Sequence, residues 1–222
     1  MDIIIISCGK NELNLMTQQT INSLIESDVF NFNIIVVESE PIKYENCLTI
    51  KCDDPFNYNH FVNIGLSYCH SDIVSFCNND LIFHKNWLTS HMKVFEKFPE
   101  IHSLSPKCDV WKDGSIYKKH SKFNKGVYLG FETGSELAGW CITVRKKVLN
   151  QIGKLDTTTS FWYSDNNYAM QLIKHKFQHA LNADALVTHL FGRSSSLLTK
   201  EEFEQMTIGQ KKSFLKRWNI NM

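Results

Sequence analysis

An apolar segment that ends in two amides and one carboxylate is the clearest candidate for chemistry. Residues 73–77 are apolar or small, and Asn78, Asn79 and Asp80 follow them directly. Open α/β sheets bind ligands outside the carboxyl ends of buried strands, where such side chains converge. We therefore predict that Asp80 coordinates a metal or a phosphate. An ordinary turn is the structural alternative, since Asn and Asp favour turns.

The elements that must position this triplet begin with a strand, a helix and a second strand. Ile3–Cys8 is a continuous apolar run, which is typical of a strand covered on both faces. Apolar residues then recur at helical spacing from Leu13, and Asn33–Ser39 forms a second buried strand. This order implies a right-handed parallel unit. Glu38, near the end of the second strand, either contacts a nucleotide ribose or base, or is a solvated strand-end acid.

The rest of the chain continues the alternation of helices and strands. A helix is predicted from about Asn59, another from Trp87 through Phe98, and a strand over 101–105, whereas 109–134 is irregular. We predict one α/β domain over 1–198, with a mostly parallel central sheet flanked by helices. A helical, basic tail, 199–222, follows a capping signature at Thr199 and is expected to dock on the domain.

Composition excludes several classes of protein. The chain has 222 residues, 43% of them hydrophobic, which suits one globular domain. A net charge of +1 and a pI near 7.6 give no overall field for nucleic acid or membrane. The apolar start is too short to span a bilayer and lacks a basic leader, so no signal peptide or transmembrane segment is expected. A cytoplasmic location is expected, in a host cytoplasm if the protein is viral.

The cysteines are expected to be buried free thiols. The chain has seven cysteines, an odd number, and no Cys-x-x-Cys pair. This pattern fits reduced thiols in a reducing compartment better than disulfides or a zinc site. Asp53 and Asp54 precede Pro55 and are interpreted as an acidic turn, although either is also placed to reach a nucleotide base.

The ordered motifs around the triplet resemble the nucleotide-sugar half of family 2 glycosyltransferases with the GT-A fold. In that family an Asn and a Gly on a helix, an acidic turn, an apolar strand and an Asp-x-Asp-type triplet follow in this order. The matching residues here are Asn63, Gly65, Asp72 and Asp80. The chain departs from the pattern at Asn78, where many relatives have Asp, so metal dependence is expected to be weaker. The resemblance divides the domain into a nucleotide-sugar half, 1–82, and an acceptor and catalytic half, 83–198.

A second set of motifs extends the resemblance. Residues 136–156 contain a Gly-containing turn, an apolar strand, a basic pair, a helix and Ile-Gly-Lys-Leu-Asp, in the family's order. Gly139 and Trp140 would then line the sugar and acceptor pocket, the Gly by close approach and the Trp by stacking. A core anchor is the equal alternative for Trp140.

The resemblance also implies a catalytic base and ligands for the leaving group. The family's base is the Asp of a Glu-Asp pair, and here Ser164 replaces the Glu while Asp165 remains; helix capping is the structural alternative for Asp165. His189 ends an apolar strand where relatives place a metal-binding imidazole, and Asp80 would be its partner ligand. The remaining expected nucleotide-binding residues are Glu38, Asn63, Asn79, Arg193 and Ser194.

These residues together predict an inverting glycosyltransferase that uses a nucleoside-diphosphate sugar, with UDP favoured by family habit. Mn²⁺ or Mg²⁺ is the expected cofactor. The acceptor is expected to be a glycan, or alternatively a hydroxylated base of phage DNA. In the second case the basic tail and the Tyr117–Lys125 loop would contact the DNA backbone. A non-catalytic nucleotide-binding or scaffold protein of the same fold is the other alternative, given Asn78 and Ser164. A sugar nucleotidyltransferase is disfavoured because 7–11 lack a Gly-rich, Arg-containing loop.

Overall fold

The computed structural model describes residues 1–9, 13–109, 120–190 and 199–220, apart from the side chains of residues 202, 203 and 206. Its strands are β1 (Asp2–Ser7), β2 (Asn33–Glu38), β3 (Leu48–Lys51), β4 (Ile73–Asn78), β5 (Leu81–Phe83), β6 (Ile101–Cys108), β7 (Val127–Leu129), β8 (Cys141–Arg145) and β9 (Gln178–His189). Its helices are α1 (Leu13–Ser27), α2 (Tyr58–Leu66), α3 (Trp87–Lys97), α4 (Lys146–Ile152), α5 (Ser164–Lys174), α6 (Lys200–Glu204) and α7 (Gln210–Arg217), with a π-helical turn, Gln205–Gly209, between the last two.

The strands form one sheet in the order β3-β2-β1-β4-β8-β6-β9-β5, and β7 also pairs with β9. The four strands from β3 to β4 are parallel, as the continuous apolar runs predict. Beyond β4 the sheet is mixed, because β8 runs antiparallel to both β4 and β6, whereas β6 and β9 are parallel. The parallel ladders hold most of the paired residues, so the predicted single α/β domain with a mostly parallel sheet is confirmed.

Helices cover both faces of the sheet because successive residues of its central strands alternate between two apolar cores. Ile4 and Ile6 belong to one core with α2, α4 and α5, and Ile3 and Ile5 belong to the other with α1 and α3. Gly65 shows how tightly α2 packs, since a Cβ there would lie 2.5 Å from Ile4 Cγ2. The close backbone approach predicted for Gly65 is therefore confirmed.

The C-terminal segment packs on the loop that precedes α5. The ring of Phe214 stacks on Tyr163 with centroids 5.4 Å apart, and Trp218 Nε1 donates to Asn167 Oδ1 over 2.7 Å. Arg217 Nε lies 2.6 Å from Asp156 Oδ2. These contacts agree with the expected docking of the tail.

Several elements are longer or placed differently than the sequence predicts. β6 extends to Cys108, and β9 begins at Gln178, well before the apolar segment that first indicates it. The segment predicted as irregular contains β7 in its described part. Across the described residues, every helix is too short or too polar to cross a membrane.

Candidate active site

The crevice outside the parallel strands is formed by three strand ends. Ser7 at the end of β1 pairs with Glu38 at the end of β2, and Ile6 pairs with Asn78 at the end of β4. The parallel direction of these strands brings their terminal side chains to one edge of the sheet. This is the position at which open α/β sheets bind ligands.

Asn78, Asp80 and His189 meet at this edge. β5 follows the triplet and pairs with the end of β9, with Leu81 opposite His189, which carries the imidazole to the carboxylate. Asp80 Oδ1 lies 3.0 Å from His189 Nε2, and Asn78 Nδ2 lies 3.4 Å from the same nitrogen. Asp80 and His189 are each 7% exposed. The structure therefore brings together the two side chains predicted to be metal ligands.

The donor set at this edge fits a divalent cation. Although Asp80 Oδ1 is close to the imidazole, it accepts no hydrogen bond of acceptable geometry from any described residue. A buried carboxylate oxygen of this kind is costly unless a cation or donor compensates it. Carboxylate oxygen with imidazole nitrogen is a combination that Mn²⁺ accepts, and Mg²⁺ uses carboxylates together with substrate phosphates. Asn78 offers an amide oxygen after a side-chain flip.

The Trp140 ring stacks on the His189 imidazole. The two rings are stacked with centroids 5.3 Å apart and an interplanar angle of 30°, and His120 lies 5.4 Å from Trp140 on a tilted plane. Trp140 is only 7% exposed. The structure thus favours the core-anchor alternative over the predicted stacking face for a sugar, because little of the indole remains accessible.

Asp165 lies in the first turn of α5 beside Gly139. Its Oδ1 accepts a hydrogen bond from the Asn166 N–H over 2.9 Å, and burial raises its pKa above the ordinary value of an aspartate. A Cβ on Gly139 would lie 2.7 Å from Asp165 Cβ and 3.0 Å from Oδ2. Gly139 is therefore required for the close approach of the β8 turn to the carboxylate, which gives its predicted position at the site a physical reason.

Tyr58 is a site residue that the sequence does not predict. Its hydroxyl donates to the Gly139 carbonyl over 2.9 Å, and it lies at the first turn of α2. Burial raises its pKa most, and the charges of Cys77 and Cys141, and then of Asp165 and Asp80, raise it further. Both carboxylates are thus within electrostatic reach of this one phenol. An aromatic residue with a polar tip just after the helix cap Asn57 was the only signal available in the sequence.

Glu38 organises the loops around the crevice. Its Oε1 accepts hydrogen bonds from the N–H groups of Gly9 and Glu40 over 2.8 and 2.9 Å, and its Oε2 accepts one from the Tyr44 hydroxyl over 2.6 Å. Burial and the bond to Glu38 raise the pKa of Tyr44 to about 12, so the phenol stays protonated as a donor. The carboxylate is fully buried. A direct contact between Glu38 and a nucleotide, the predicted role, would require these loops to move.

Asn79 continues this polar network below the crevice. Its Nδ2 donates to Thr17 Oγ1 over 2.9 Å and to Ser7 Oγ over 3.3 Å. Its backbone carbonyl accepts from Thr20 Oγ1 over 2.7 Å. Asn79 therefore ties the triplet to α1, and its predicted contact with the nucleotide stays a prediction.

Asn63 makes two bonds to one residue far away in the chain. Its Nδ2 donates to the Leu155 carbonyl over 2.9 Å, and its Oδ1 accepts from the Leu155 N–H over 2.8 Å. This pair locks α2 to the loop that leads to α5. The structure thus shows a positioning role, and the nucleotide contact predicted for Asn63 would require both bonds to break. Arg193 and Ser194 lie outside the described residues.

Comparison with known proteins agrees with this geometry. The sequence profile of glycosyl transferase family 2 matches residues 2–153, more than half of the chain. Two crystal structures of S. aureus TarS 1–349, one of them in complex with UDP-GlcNAc, superpose with TM-scores of 0.63 and 0.65 at 14% identity. They cover 96% of this chain, whereas it spans 65% and 66% of theirs, somewhat less than two thirds. No curated protein sequence matches the chain.

The sheet topology and the likeness to the TarS structures show the GT-A fold. The chain belongs to glycosyl transferase family 2. At 14% identity the likeness to the TarS structures shows the fold alone.

Proposed function

We propose that the protein transfers a sugar from a nucleoside-diphosphate sugar to an acceptor hydroxyl with inversion at the anomeric carbon. The observation that carries this proposal is that Asp80 and Asp165 have different surroundings. Asp80 lies beside an imidazole, whereas Asp165 lies against Gly139, accepts a hydrogen bond from the Asn166 N–H and has a raised pKa. Two acids with different surroundings are suited to different roles in one reaction.

Asp165 acts as the general base in this proposal. As the acceptor oxygen bonds to the anomeric carbon, its proton passes to Asp165, and the bond from that carbon to the diphosphate oxygen breaks. The leaving nucleoside diphosphate keeps the electron pair of the broken bond. Burial raises the pKa of Asp165, which makes its carboxylate a stronger base than an exposed one. The Asn166 N–H fixes one oxygen and leaves the other for the acceptor.

Asp80 and His189 are the residues that would hold Mn²⁺ or Mg²⁺, with Asn78 beside them. A divalent cation bound there supplies positive charge to the leaving diphosphate. The Trp140 ring stacks on the His189 imidazole, and the backbone just after β9 fixes Asp80, because the Leu190 N–H donates to the Asp80 carbonyl over 2.9 Å. These contacts keep both groups in place before the donor binds.

The donor is proposed to be a UDP-sugar. The support is a similar fold in a protein whose crystal structure is described as a complex with UDP-GlcNAc. In this chain, the wall of the crevice next to β2 would receive the nucleoside, with Glu38 and Tyr44 holding its loops in shape.

A glycan is the proposed acceptor, and duplex DNA carrying hydroxylated bases is the second candidate. One observation supports DNA as this second candidate. Three lysines, Lys211, Lys212 and Lys216, are exposed on the docked helix α7. Electrostatic binding to phosphates weakens steeply with salt. Salt-dependent binding of duplex DNA would support this acceptor, and no binding even at low salt would exclude it.

The proposed donor site is tested by calorimetric titration of UDP with and without Mn²⁺. We compare the wild type with Asp80→Asn, which keeps the side-chain shape, and with Asp184→Asn, an exposed acid, as the matched control. We expect metal-dependent binding that Asp80→Asn weakens strongly and Asp184→Asn leaves intact. If no nucleoside diphosphate binds the wild type, the proposal is wrong, and a scaffold protein that binds no nucleotide replaces it.

A further inference from the structure

A second group of potential metal ligands lies at the outer end of the parallel half of the sheet. Cys52 follows β3 directly, Asp54 lies in the loop after it, and His60 lies in the first turns of α2. One ligand atom from each of these residues lies within 4.8 Å of the other two. Among the described residues this is the group of three or more Cys, His, Asp or Glu side chains with such spacing. We call it the outer cluster.

The outer cluster is separate from Asp80 and His189. In the sheet β3 and β4 are separated by β2 and β1. Three strand spacings place β3 and β4 about 14 Å apart across the sheet. Neither the proposed transfer reaction nor its cation uses Cys52, Asp54 or His60, so the function of the outer cluster needs its own explanation.

The geometry of the outer cluster suits a metal that prefers sulfur and nitrogen. Cys52 is a free thiol and is 5% exposed, whereas the Asp54 and His60 side chains are 65% and 37% exposed. Ligand atoms around a tetrahedral zinc ion, at 2.0–2.3 Å from the metal, lie within about 4 Å of one another. The buried thiol at the base and two accessible ligands above it therefore leave an entry path and an open fourth position.

The backbone around the outer cluster is already held in place. The Cys52 N–H donates to the Glu38 carbonyl over 2.8 Å. On the other side, Asn57 caps α2 through a hydrogen bond from the His60 N–H to its Oδ1 over 3.0 Å. Asp54 Oδ2 and His60 Nε2 are 2.7 Å apart. Because the backbone positions are fixed at both ends, an ion needs only small side-chain rotations to bind all three ligands.

We propose that Cys52, Asp54 and His60 bind a Zn²⁺-type ion that joins the end of β3 to the start of α2. Thiolate with imidazole selects Zn²⁺ and Co²⁺ over Mg²⁺ and Mn²⁺, which prefer oxygen ligands. Binding deprotonates the thiol and releases its proton. Since α2 carries Tyr58, which bonds to Gly139, the ion would stabilise one wall of the active site without taking part in the reaction.

The test is a spectroscopic titration of the full chain, freed of metal by a chelator, with Co²⁺. A thiolate bound to Co²⁺ produces a near-ultraviolet charge-transfer band, which is absent when only oxygen and nitrogen ligands bind. We expect one equivalent of Co²⁺ to produce this band and Zn²⁺ to displace it. Cys52→Ser should abolish the band, and His60→Ala should weaken binding by more than about tenfold.

Matched variants separate this site from other thiols and acids. Cys47→Ser removes a half-buried thiol near the same strand, and Asp53→Asn removes the neighbouring acid, which pairs with Lys51; both should keep the band. His60→Ala is at the surface and tests the site even if Cys52→Ser does not fold. The proposal is overturned if the wild type gives no charge-transfer band, or if Cys52→Ser and Cys47→Ser behave alike. In the first case the outer cluster is only the Asp54–His60 ion pair.

Discussion

The two groups of potential metal ligands in this protein differ in both donor type and burial. At the crevice, Asp80 and His189 are nearly buried and offer oxygen and nitrogen, with Asn78 beside them. In the outer cluster, a buried thiol lies below two side chains that are partly open to solvent. Hard donors in a crevice suit a cation that meets phosphate, whereas a thiolate and an imidazole suit a tightly held structural ion.

This difference implies that the two groups affect different properties of the enzyme. Changes at the crevice should alter turnover and donor binding, because charge develops there during the reaction. Changes in the outer cluster should alter stability in the presence of zinc, because an ion that binds only the folded state stabilises it.

The largest effect is expected for Asp165→Asn. Removing a general base lowers turnover by about 10²- to 10⁴-fold, and donor binding measured by calorimetry should remain. Asp54→Asn, in the outer cluster, is the matched acid and should leave kcat unchanged. Equal losses in both variants would contradict the division, and an active Asp165→Asn would exclude Asp165 as the base.

Stability provides a check on the same variant. The folded-state pKa of Asp165 is raised above the unfolded value, so the charged form opposes folding. Its favourable contribution is present below the unfolded pKa and is lost as pH rises through the folded pKa. Near neutral pH, Asp165→Asn should therefore be at least as stable as the wild type in thermal unfolding. If Asp165→Asn lost activity because it misfolds, it would instead be less stable than the wild type in thermal unfolding.

Gly139→Ala should have the next largest effect. The new Cβ would lie 2.7 Å from Asp165 Cβ, so the carboxylate or the β8 turn must shift. A displacement of about 1 Å at a reacting group can cost about 10²-fold in kcat/KM. Gly209→Ala is the control, because its Cβ would come no closer than 3.8 Å to a neighbouring side chain. Unchanged kinetics in Gly139→Ala would mean that Asp165 does not need its present position.

The parts of this site that the sequence predicts are those encoded by continuous local patterns. The apolar runs of β1 and β2 and the polar triplet after β4 are each contiguous, so their type and the edge at which they end follow from the sequence. His189 meets Asp80 as predicted because it ends a strand that pairs with the segment just after the triplet. Local patterns of this kind are therefore sufficient to predict the parallel half of the sheet.

The remaining features depend on contacts between distant residues. Three of these contacts join segments at least 49 residues apart in the chain. They are the two hydrogen bonds between Asn63 and Leu155, the stacking of Trp140 on His189, and the hydrogen bond from Tyr58 to Gly139. The outer cluster was missed for another reason, since its single cysteine lacks the paired spacing by which zinc sites are recognised. Amide and aromatic side chains serve equally well in packing and in binding, so their residue type alone does not decide the role.

The pH dependence of turnover should be the third effect in size. Because burial raises the pKa of Asp165, this base becomes protonated at a higher pH than an ordinary aspartate. As the pH is lowered, kcat/KM should therefore begin to fall earlier, and then by about tenfold per pH unit. His91 and His179 have pKa values lowered to about 3 by burial, so the stability they contribute is lost only as pH falls from about 6.5 towards 3. Circular dichroism over the same range separates the two processes. If the fall in kcat/KM at low pH coincided with unfolding, it would not report the protonation of Asp165.

The smallest effect on turnover is expected for His60→Ala, and it is the most specific test of the outer cluster. Because the described contacts of His60 are with Asn57, Asp54 and Phe61 rather than with Asp80 or Asp165, kcat should change by less than about twofold. In the wild type, Zn²⁺ at a hundred times its Kd should stabilise the fold by about 2.7 kcal/mol, which corresponds to a rise in Tm of about 5 to 10 °C. This zinc-dependent rise should disappear in His60→Ala and persist in Asp53→Asn. If zinc instead raised the Tm of both variants equally, the ion would bind elsewhere, and the crevice residues Asp80 and His189 would be the first alternative to test.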